Sequence, residues 1–467
     1  MISPRMQVCL LLGLVACLFD TGSPASQAFG ARSRDCPSYA RAARRACRQA
    51  RHGSTGAWYC PDEPVANCVA GGIRQGNNPD DRVANAPGAI VSPDVKAVSH
   101  SINQFAFQLY QNLDEQHGNR FFSPASISMA LAMAYSGAAG ETRRQMADVL
   151  HFDLPESRMQ NGLGALNGIL NASSPAYRLK LANRLWVQSG FDFQPTFLQM
   201  HRERLRAEPG EVDFAQAEQA RQTMNHWVLD QTEGKIVDLI PPGVLPTDTR
   251  LVVTNAVYFK GTWKYQFAKA GTTEAPFHLS KDQEIKVPTM QQTGGLRYVK
   301  VDETQLLELP YAGGQLSMLV LLPTRIDGLP ELENKLTADR VEQWIAALHH
   351  EDEVEVYLPK FTFTARTGLK EVLSTVGMPL AFSNDADFSG ITTQKAQKLF
   401  DVLHQAYVDV NEEGTEAAAA TGVMFSDAPG PVPHVVVFRA DHPFLFLIRD
   451  NRTGVILFLG RVVNPQA

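Results

Sequence analysis

The segment that most constrains the fold is Glu412-Glu413-Gly414-Thr415-Glu416-Ala417-Ala418-Ala419-Ala420-Thr421-Gly422. It follows residues 399–410, where apolar and polar residues alternate as they do in a half-buried strand. Four consecutive alanines ordinarily favour a helix. If the segment is a strand instead, one face carries only small, uncharged side chains, those of Thr415, Ala417, Ala419 and Thr421. Such a segment can lie exposed as a loop or enter a buried sheet without stranding a charge, and Gly414 supplies the backbone freedom of a hinge.

Five other motifs occur along the chain. They are Phe122-Ser123-Pro124-Ala125-Ser126-Ile127, Gly137-Ala138-Ala139-Gly140-Glu141-Thr142, Asn255-Ala256-Val257-Tyr258-Phe259-Lys260-Gly261-Thr262-Trp263, Asp441-His442-Pro443-Phe444-Leu445-Phe446 and Phe458-Leu459-Gly460-Arg461-Val462-Val463-Asn464-Pro465. Together with residues 412–422, and in the same order, they resemble the serpins, the suicide inhibitors of serine proteases. The resemblance runs from about residue 98 to the C-terminus.

The predicted elements indicate an α+β fold. Helices are predicted over residues 124–136, 141–150, 215–233, 337–349 and 366–376, and strands over residues 179–187, 251–259, 354–363, 399–410 and 455–463. Residues 306–309 and 316–322 flank a turn signal and predict a hairpin. Helices and strands are interspersed without strict βαβ alternation, which favours mixed sheets. The resemblance implies the serpin fold, with three mixed or antiparallel sheets, about nine helices and an exposed reactive-centre loop.

Residues 1–28 have the form of a secretory signal peptide. Arg5 precedes an apolar stretch that is too short to span a bilayer, and small and polar residues follow it. This pattern predicts a secreted, periplasmic or extracellular protein. Residues Leu14-Val15-Ala16-Cys17 also resemble a bacterial lipobox, which would anchor the mature chain to a membrane by a lipid on Cys17. The sequence leaves both interpretations open.

A small basic module is predicted over residues 32–74. Its cysteines are Cys36, Cys47, Cys60 and Cys68, and an even number in so short a segment suggests two disulfides formed in an oxidising compartment. A metal site is the competing interpretation, but the segment has no Cys-x-x-Cys pair, so no metal is expected. Its arginines suit contact with anionic lipid or polysaccharide, or simply a solvated helix face. Residues 75–97 predict a flexible linker to the serpin domain, residues 98–467.

The resemblance implies inhibition rather than catalysis. The sequence has no Gly-x-Ser-x-Gly, His-Glu-x-x-His, P-loop or dinucleotide motif, and residues 349–353 are more typical of a solvated charge run at a helix end than of a metal site. No catalytic residue and no cofactor are therefore expected. The implied partner is a target serine protease in a covalent complex with a monomeric inhibitor. A net charge of −6 gives no indication of nucleic-acid binding.

By resemblance, the protease cuts the reactive-centre loop, and the cut loop enters the large sheet as a new strand. The hinge of that loop is Glu412, Glu413, Gly414, Thr415, Glu416, Ala417, Ala418, Ala419, Ala420 and Thr421. A charge on its inward face would be buried without a partner, so its small side chains predict an inhibitory member. The alternative is a non-inhibitory serpin that serves as a carrier, chaperone or structural protein, for which the proline-rich loop leaves room.

The resemblance also implies two sites that support insertion. The shutter is a polar cluster under the middle of the sheet that can break and re-form as the strands part. Its matches are Ser123, Ser126, Asn255 and His404. The breach is the place where the loop begins to enter the sheet. Trp263 matches it, and Glu412 lies beside it at the root of the loop.

The bait lies between Gly422 and His434, and its scissile bond is open on the sequence. Counting forward from the hinge by the family's usual spacing gives Ala428–Pro429, and counting back from Pro443 gives Val432–Pro433. Proline after a bond hinders most serine proteases, because the leaving nitrogen belongs to a rigid ring. The predicted region is centred near Ala428 and comprises Phe425, Ser426, Asp427, Ala428 and Pro429. Ala428 suits an elastase-like protease and Phe425 a chymotrypsin-like one, and a subtilisin-like target is also compatible.

Overall fold

The computed structural model describes residues 91–113, 118–205, 207–393, 398–415 and 435–467. Within these ranges nine α-helices are interspersed with strands, which confirms the α+β prediction. The helices are α1 (Pro93–Asn112), α2 (Pro124–Tyr135), α3 (Gly140–Leu150), α4 (Glu156–Leu170), α5 (Pro195–Met200), α6 (Ala217–Gln231), α7 (Leu329–Glu333), α8 (Ala338–Ala347) and α9 (Lys370–Thr375). The predicted signal peptide with Cys17, the four-cysteine module and the linker up to residue 90 lie outside the described residues.

The same ranges contain fifteen strands. They are β1 (Arg120–Phe122), β2 (Tyr177–Gln188), β3 (Gly210–Val212), β4 (Leu251–Thr262), β5 (Thr273–His278), β6 (Glu284–Val301), β7 (Thr304–Pro310), β8 (Leu316–Pro323), β9 (His349–Pro359), β10 (Phe361–Gly368), β11 (Leu399–Asn411), β12 (Gly414–Thr415), β13 (Val436–Arg439), β14 (Phe444–Asp450) and β15 (Ile456–Val462). The predicted hairpin is β7 paired with β8.

A six-stranded sheet carries the candidate site. Its strand order is β10-β11-β12-β4-β2-β3, and β4 also pairs directly with β11, in parallel, below β12. β4 is the apolar, β-branched run that the sequence predicts as a central strand, and its residues from Leu251 to Phe259 are all buried. Between β4 and β11 the short strand β12 is therefore inserted near the C-terminal ends of both strands. Over the rest of their length β4 and β11 are hydrogen-bonded directly to each other.

The other nine strands form a second network in the order β1-β15-β14-β8-β7-β6-β9-β13, with β5 paired to β6. The described strands thus make two networks, where the serpin resemblance implies three sheets. The difference arises at β6, which is 18 residues long. It pairs with β7 near its C-terminal end and with β5 and β9 along the rest, so one continuous strand joins two sheets that would otherwise be separate.

Helices cover both faces of the six-stranded sheet. α2 is built almost entirely of Ala, Met, Ile, Leu and Ser, and its buried surface packs against β2, β4 and β15. On the other face, Met224 and Val228 of α6 form a separate apolar cluster with Ala256 of β4 and Leu403 of β11. Opening the sheet between β4 and β11 would therefore disturb the strands beneath α6.

Three sequence predictions need correction. The helix expected over residues 366–376 is only α9, because the alternating run from Phe361 continues to Gly368 as β10 and pairs with β11. The strand expected over residues 354–363 is two strands, β9 and β10, separated at Lys360. The linker expected to reach residue 97 ends earlier. α1 begins at Pro93, and the Ser92 hydroxyl caps it by accepting from the backbone N of Val95 at 3.3 Å.

Candidate functional site

The hinge begins inside the sheet. Gly414 and Thr415 form β12, which lies between β11 and β4 and is antiparallel to both. Thr415 pairs with Val410 on one side and with Gly261 on the other. Its side chain is fully buried, and its Oγ1 lies 3.0 Å from the hydroxyl of Tyr311. The first residue of the face that the sequence predicts to be insertable is therefore already inserted.

The remaining hinge residues lie outside the described residues. They are Glu416, Ala417, Ala418, Ala419, Ala420 and Thr421. The predicted scissile region, Phe425, Ser426, Asp427, Ala428 and Pro429, also lies outside them. Roles for these side chains therefore stay predictions from the sequence.

Gly414 meets two constraints that only glycine satisfies. Its φ is 144°, in the region that residues with a side chain rarely adopt. A Cβ at this position would also lie 2.1 Å from the carbonyl oxygen of Gly261. The close approach of the two backbones is what lets the chain leave β11, turn, and enter the sheet beside β4.

Trp263, predicted for the breach, lies at the end of β4 against the root of the loop. Its indole stacks on the ring of Tyr311, with centroids 4.5 Å apart. Its Nε1 donates to the carbonyl of Asn411 at 3.0 Å, and its backbone N donates to the carbonyl of Glu413 at 3.0 Å. Tyr311 thus contacts both the breach tryptophan and the first inserted side chain, Thr415.

Glu412 is a buried carboxylate with fixed partners. Its oxygens lie 2.9 and 3.1 Å from Nζ of Lys360, and Thr272 Oγ1 donates to it at 2.8 Å. Burial alone would raise the pKa of Glu412, but the hydrogen bonds from Lys360 and Thr272 outweigh burial and hold the pKa below its ordinary value. The neighbouring Glu413 pairs with Lys269 at 2.5 Å. Two ion pairs therefore fix the chain just before it enters the sheet.

Sequence reasoning did not find the partners of the loop root. Tyr311 falls in the predicted hairpin turn, and Lys269, Thr272 and Lys360 are separated from Glu412 by at least 52 positions. Two adjacent glutamates before a buried segment do signal that cations must be near. Nothing in the sequence says which of its lysines supply them.

The shutter residues form one connected network. Ser123 donates its backbone N–H to Nε2 of His404 at 3.2 Å, and Nδ1 of His404 donates to Oδ1 of Asn255. Asn255 in turn donates to Ser126 Oγ at 2.7 Å and to Oδ1 of Asn183. The network links α2 to β2, β4 and β11, so it crosses the line along which the sheet would open.

Asn183 also belongs to this network, although the sequence analysis did not identify it. It accepts from Ser126 Oγ at 3.0 Å and donates to the Ser126 carbonyl at 3.2 Å. A signal for it does exist, because Asn183 is the one polar residue among the alternate apolar positions of β2, between Leu181 and Leu185. A polar side chain on an apolar strand face needs a buried partner.

His404 is neutral in the folded protein. Complete burial lowers its pKa from 6.5 to about 3. Its Nε2 accepts from a backbone N–H, so the proton lies on Nδ1 and is donated to Asn255. Protonating Nε2 would break the contact with Ser123 and place a charge in the core.

We expect stability to fall in acid through this histidine. The folded-state pKa is lower than the unfolded value, so between about pH 6.5 and pH 3 the unfolded chain binds a proton that the folded chain does not. The free energy of unfolding should then fall with decreasing pH by up to about 1.4 kcal/mol per pH unit from this group. Urea melts at pH 7 and pH 5 should show a smaller drop for His404→Gln than for wild type. Equal drops would show that His404 does not carry this dependence.

Residues 100–465 match the family model of the serpins, described as serine protease inhibitors. The chain belongs to the serpin family. An uncharacterised serpin-like protein of Thermococcus kodakarensis is 43% identical to this serpin over 377 residues, covering 79% of this chain and 86% of its relative. Leukocyte elastase inhibitor of Bos taurus is 42% identical over 381 residues, covering 79% of this chain and 100% of the relative.

Solved structures show the same fold. Human thyroxine-binding globulin, in complex with thyroxine, matches with a TM-score of 0.73 at 30% identity, over 80% of this chain and all of the other. Serpin48 of Tenebrio molitor matches with a TM-score of 0.72 at 32% identity, again over 80% of this chain and all of the other. The predicted serpin fold is therefore confirmed, and the protein is a protease inhibitor by family and not an enzyme.

Two further observations concern the described residues only. No group of three or more His, Cys, Asp or Glu side chains in them is arranged to hold a metal ion, and the charge run that begins at His349 opens strand β9 rather than ending a helix. None of the helices described is long and apolar enough to cross a bilayer.

Proposed function

We propose that this serpin inhibits serine endopeptidases irreversibly, by insertion of its cleaved loop into the six-stranded sheet. The observation that carries the proposal is β12, the two hinge residues that already pair with β11 and β4. The target's serine attacks the bait, and an acyl-enzyme forms. The freed loop then continues the strand that β12 begins and drags the bound protease along the sheet before water can release it.

The register of β12 supports this path. Thr415 pairs with Gly261 and Val410. In an antiparallel pair, each residue further along one strand lies opposite the residue one earlier on its partner. If the strand continued in that register, Thr421 would come opposite Asn255 and His404, which themselves form one closed pair. The alternate residues 417, 419 and 421 would share the buried side of Thr415. Each of them is Ala or Thr, so none would bring a charge to that side.

The length of the sheet favours a scissile bond near Ala428. In the same register Phe425 would come opposite Leu251, the first residue of β4. A bond after Phe425 would leave no chain beyond the sheet to hold the protease, whose cleft needs several substrate residues. A bond after Val432 would leave about seven residues of slack, roughly 23 Å, and no tension on the acyl-enzyme. Bonds at Asp427–Ala428 or Ala428–Pro429 avoid both problems.

Elastase-like proteases are the first targets to test. A small side chain at Ala428 suits an elastase-like pocket, and relatives of this serpin at about 40% identity are named leukocyte elastase inhibitors. Chymotrypsin-like and subtilisin-like proteases remain in the proposal, because Phe425 and the neighbouring residues offer them alternative bonds.

The test is incubation with a panel of elastase-, chymotrypsin- and subtilisin-like proteases. We expect at least one of them to give a complex that survives boiling in denaturant, with a new N-terminus at Ala428 or Pro429 identified by mass. Cleavage of the loop by every protease tried, with no stable complex, would reject inhibition. It would favour the second candidate, a non-inhibitory serpin that acts as a carrier, chaperone or structural protein. Thyroxine-binding globulin, solved with its ligand, shares this fold.

Export and a monomeric state are also part of the proposal. The signal-like residues 1–28 and the four clustered cysteines support secretion with two disulfides, with a lipid anchor at Cys17 as the alternative. Mass analysis of the mature protein distinguishes the two. Secretion predicts cleavage near residue 28, and anchoring predicts an acylated N-terminal cysteine.

A further inference from the structure

Two tyrosines close the sheet below the hinge strand. The last direct pair between β4 and β11 is Tyr258 with Tyr407, and from there the two strands pair in parallel down to Leu251 and Leu399. Directly opposite residues on neighbouring strands point to the same side of a sheet. Here that side is the one under α6, because Ala256, two residues from Tyr258, belongs to the apolar cluster with α6.

A lysine lies over this tyrosine pair. Lys235 follows α6, and its Nζ is 6.0 Å from the ring centroid of Tyr258 and 5.7 Å from that of Tyr407. The turn that carries it is fixed by Thr232, whose carbonyl accepts from the backbone N of Lys235 at 3.0 Å. The buried hydroxyl of Thr232 also accepts from the next backbone N, that of Ile236, at 3.2 Å. One ammonium group therefore lies within cation–π range of both strands at once.

We propose that Lys235 is a latch on the sheet, a positioning residue that holds β4 and β11 together at the first closed pair and thereby limits how fast a strand can enter. The proposal deepens the proposed function by naming what controls its insertion step. It concerns the opening of the sheet itself, which occurs and can be measured without a protease.

The position of this contact explains why it can affect the rate at which the sheet opens. Thr415 occupies the sheet just above the tyrosine pair, so any strand that continues from it must pass between Tyr258 and Tyr407 before lower pairs open. Insertion moves the two strands apart by one strand spacing, about 4.8 Å. An ammonium midway between the rings would then lie beyond the roughly 6 Å range of a cation–π contact to each. The contact is thus present when the sheet is closed and lost as it opens, which is the condition for slowing that step.

The experiment uses the intact protein and a synthetic peptide with the sequence of residues 416–426, which begins one residue after the position that Thr415 already fills. Peptide that anneals between β4 and β11 changes the mobility of the protein on a native gel, which gives a rate constant. We expect Lys235→Met, which keeps an apolar stem of similar length, to anneal peptide about fivefold faster than wild type, the rate equivalent of one exposed cation–π contact. Lys235→Arg should restore the rate to within about twofold of wild type, because the cation is kept.

Lys264→Met is the matched control. Nζ of Lys264 lies 5.0 Å from the ring of Tyr265, which is 49% exposed, so this variant removes a cation–π contact that does not join the two strands. It should anneal peptide at the wild-type rate. The latch is rejected if Lys235→Met anneals no faster than wild type, or if Lys264→Met accelerates annealing equally. The two proposals can fail separately. If the Lys235 variants anneal peptide as expected but the protein traps no protease, the inhibitory function is rejected and the role of Lys235 in the sheet is retained.

Discussion

Replacing Thr415 with arginine is expected to turn this serpin from an inhibitor into a substrate. Thr415 is fully buried between β11 and β4, and its hydroxyl contacts Tyr311. An arginine there would be an unpaired charge in the core, which costs about 3–5 kcal/mol, so the hinge strand should leave the sheet. Loop insertion would then slow by about 100-fold or more, enough for hydrolysis of the acyl-enzyme to win.

The measurement is the ratio of covalent complex to cleaved inhibitor on a denaturing gel, together with the rate at which the protease first attacks the loop. We expect Thr415→Arg to be cut as fast as wild type but to give almost no complex. Thr415→Val is the control, because it keeps the volume and adds no charge; it takes away the hydrogen-bond partner of the buried Tyr311 hydroxyl, which costs about 1–3 kcal/mol. If the arginine variant traps protease as well as wild type, hinge insertion at residue 415 is not needed.

Much of the fold follows from local sequence. β4 is recognisable as a central strand because its run from Leu251 is apolar and β-branched, and α2 lies where the sequence predicts a helix, over residues 124–136. The last three residues of β10, Arg366 to Gly368, fall in the helix predicted over residues 366–376, whereas its first three, Phe361 to Phe363, fall in a predicted strand. Pairing with β11, supplied from a distant part of the chain, decided in favour of a strand.

The candidate site was only partly predictable, for a similar reason. The small side chains of the hinge are visible as a pattern in the sequence, whereas the shutter residues are identified only through the resemblance to serpins. The depth of insertion is not visible in the sequence, because it depends on the close approach of Gly414 to Gly261 and on the contact between the hydroxyls of Thr415 and Tyr311. The ion pair of Glu412 with Lys360 joins the residue between β9 and β10 to the loop root, and it likewise requires the assembled sheet.

The second large effect is expected on cleavage of the loop. Insertion beyond Thr415 would add about ten ladder hydrogen bonds, worth roughly 10 kcal/mol in total. That equals the whole stability of an ordinary domain. The unfolding entropy is about 2.1 cal/mol/K per residue, so for a serpin domain of this size the midpoint of thermal unfolding should rise by on the order of 10 °C. The gain requires that the sheet between β4 and β11 opens to its lower end.

The most direct test of this account is thermal unfolding of the intact protein and of the same protein cut once within residues 422–434 by a protease that it does not trap. In the intact serpin β4 and β11 pair directly with each other from Tyr258 and Tyr407 downward, so the cut form should insert its loop there and unfold on the order of 10 °C higher. Thr415→Arg, cut in the same way, should show little or no rise. A cut wild-type protein that unfolds at or below the temperature of the intact one would contradict the claim that β12 is the first part of an inserting strand.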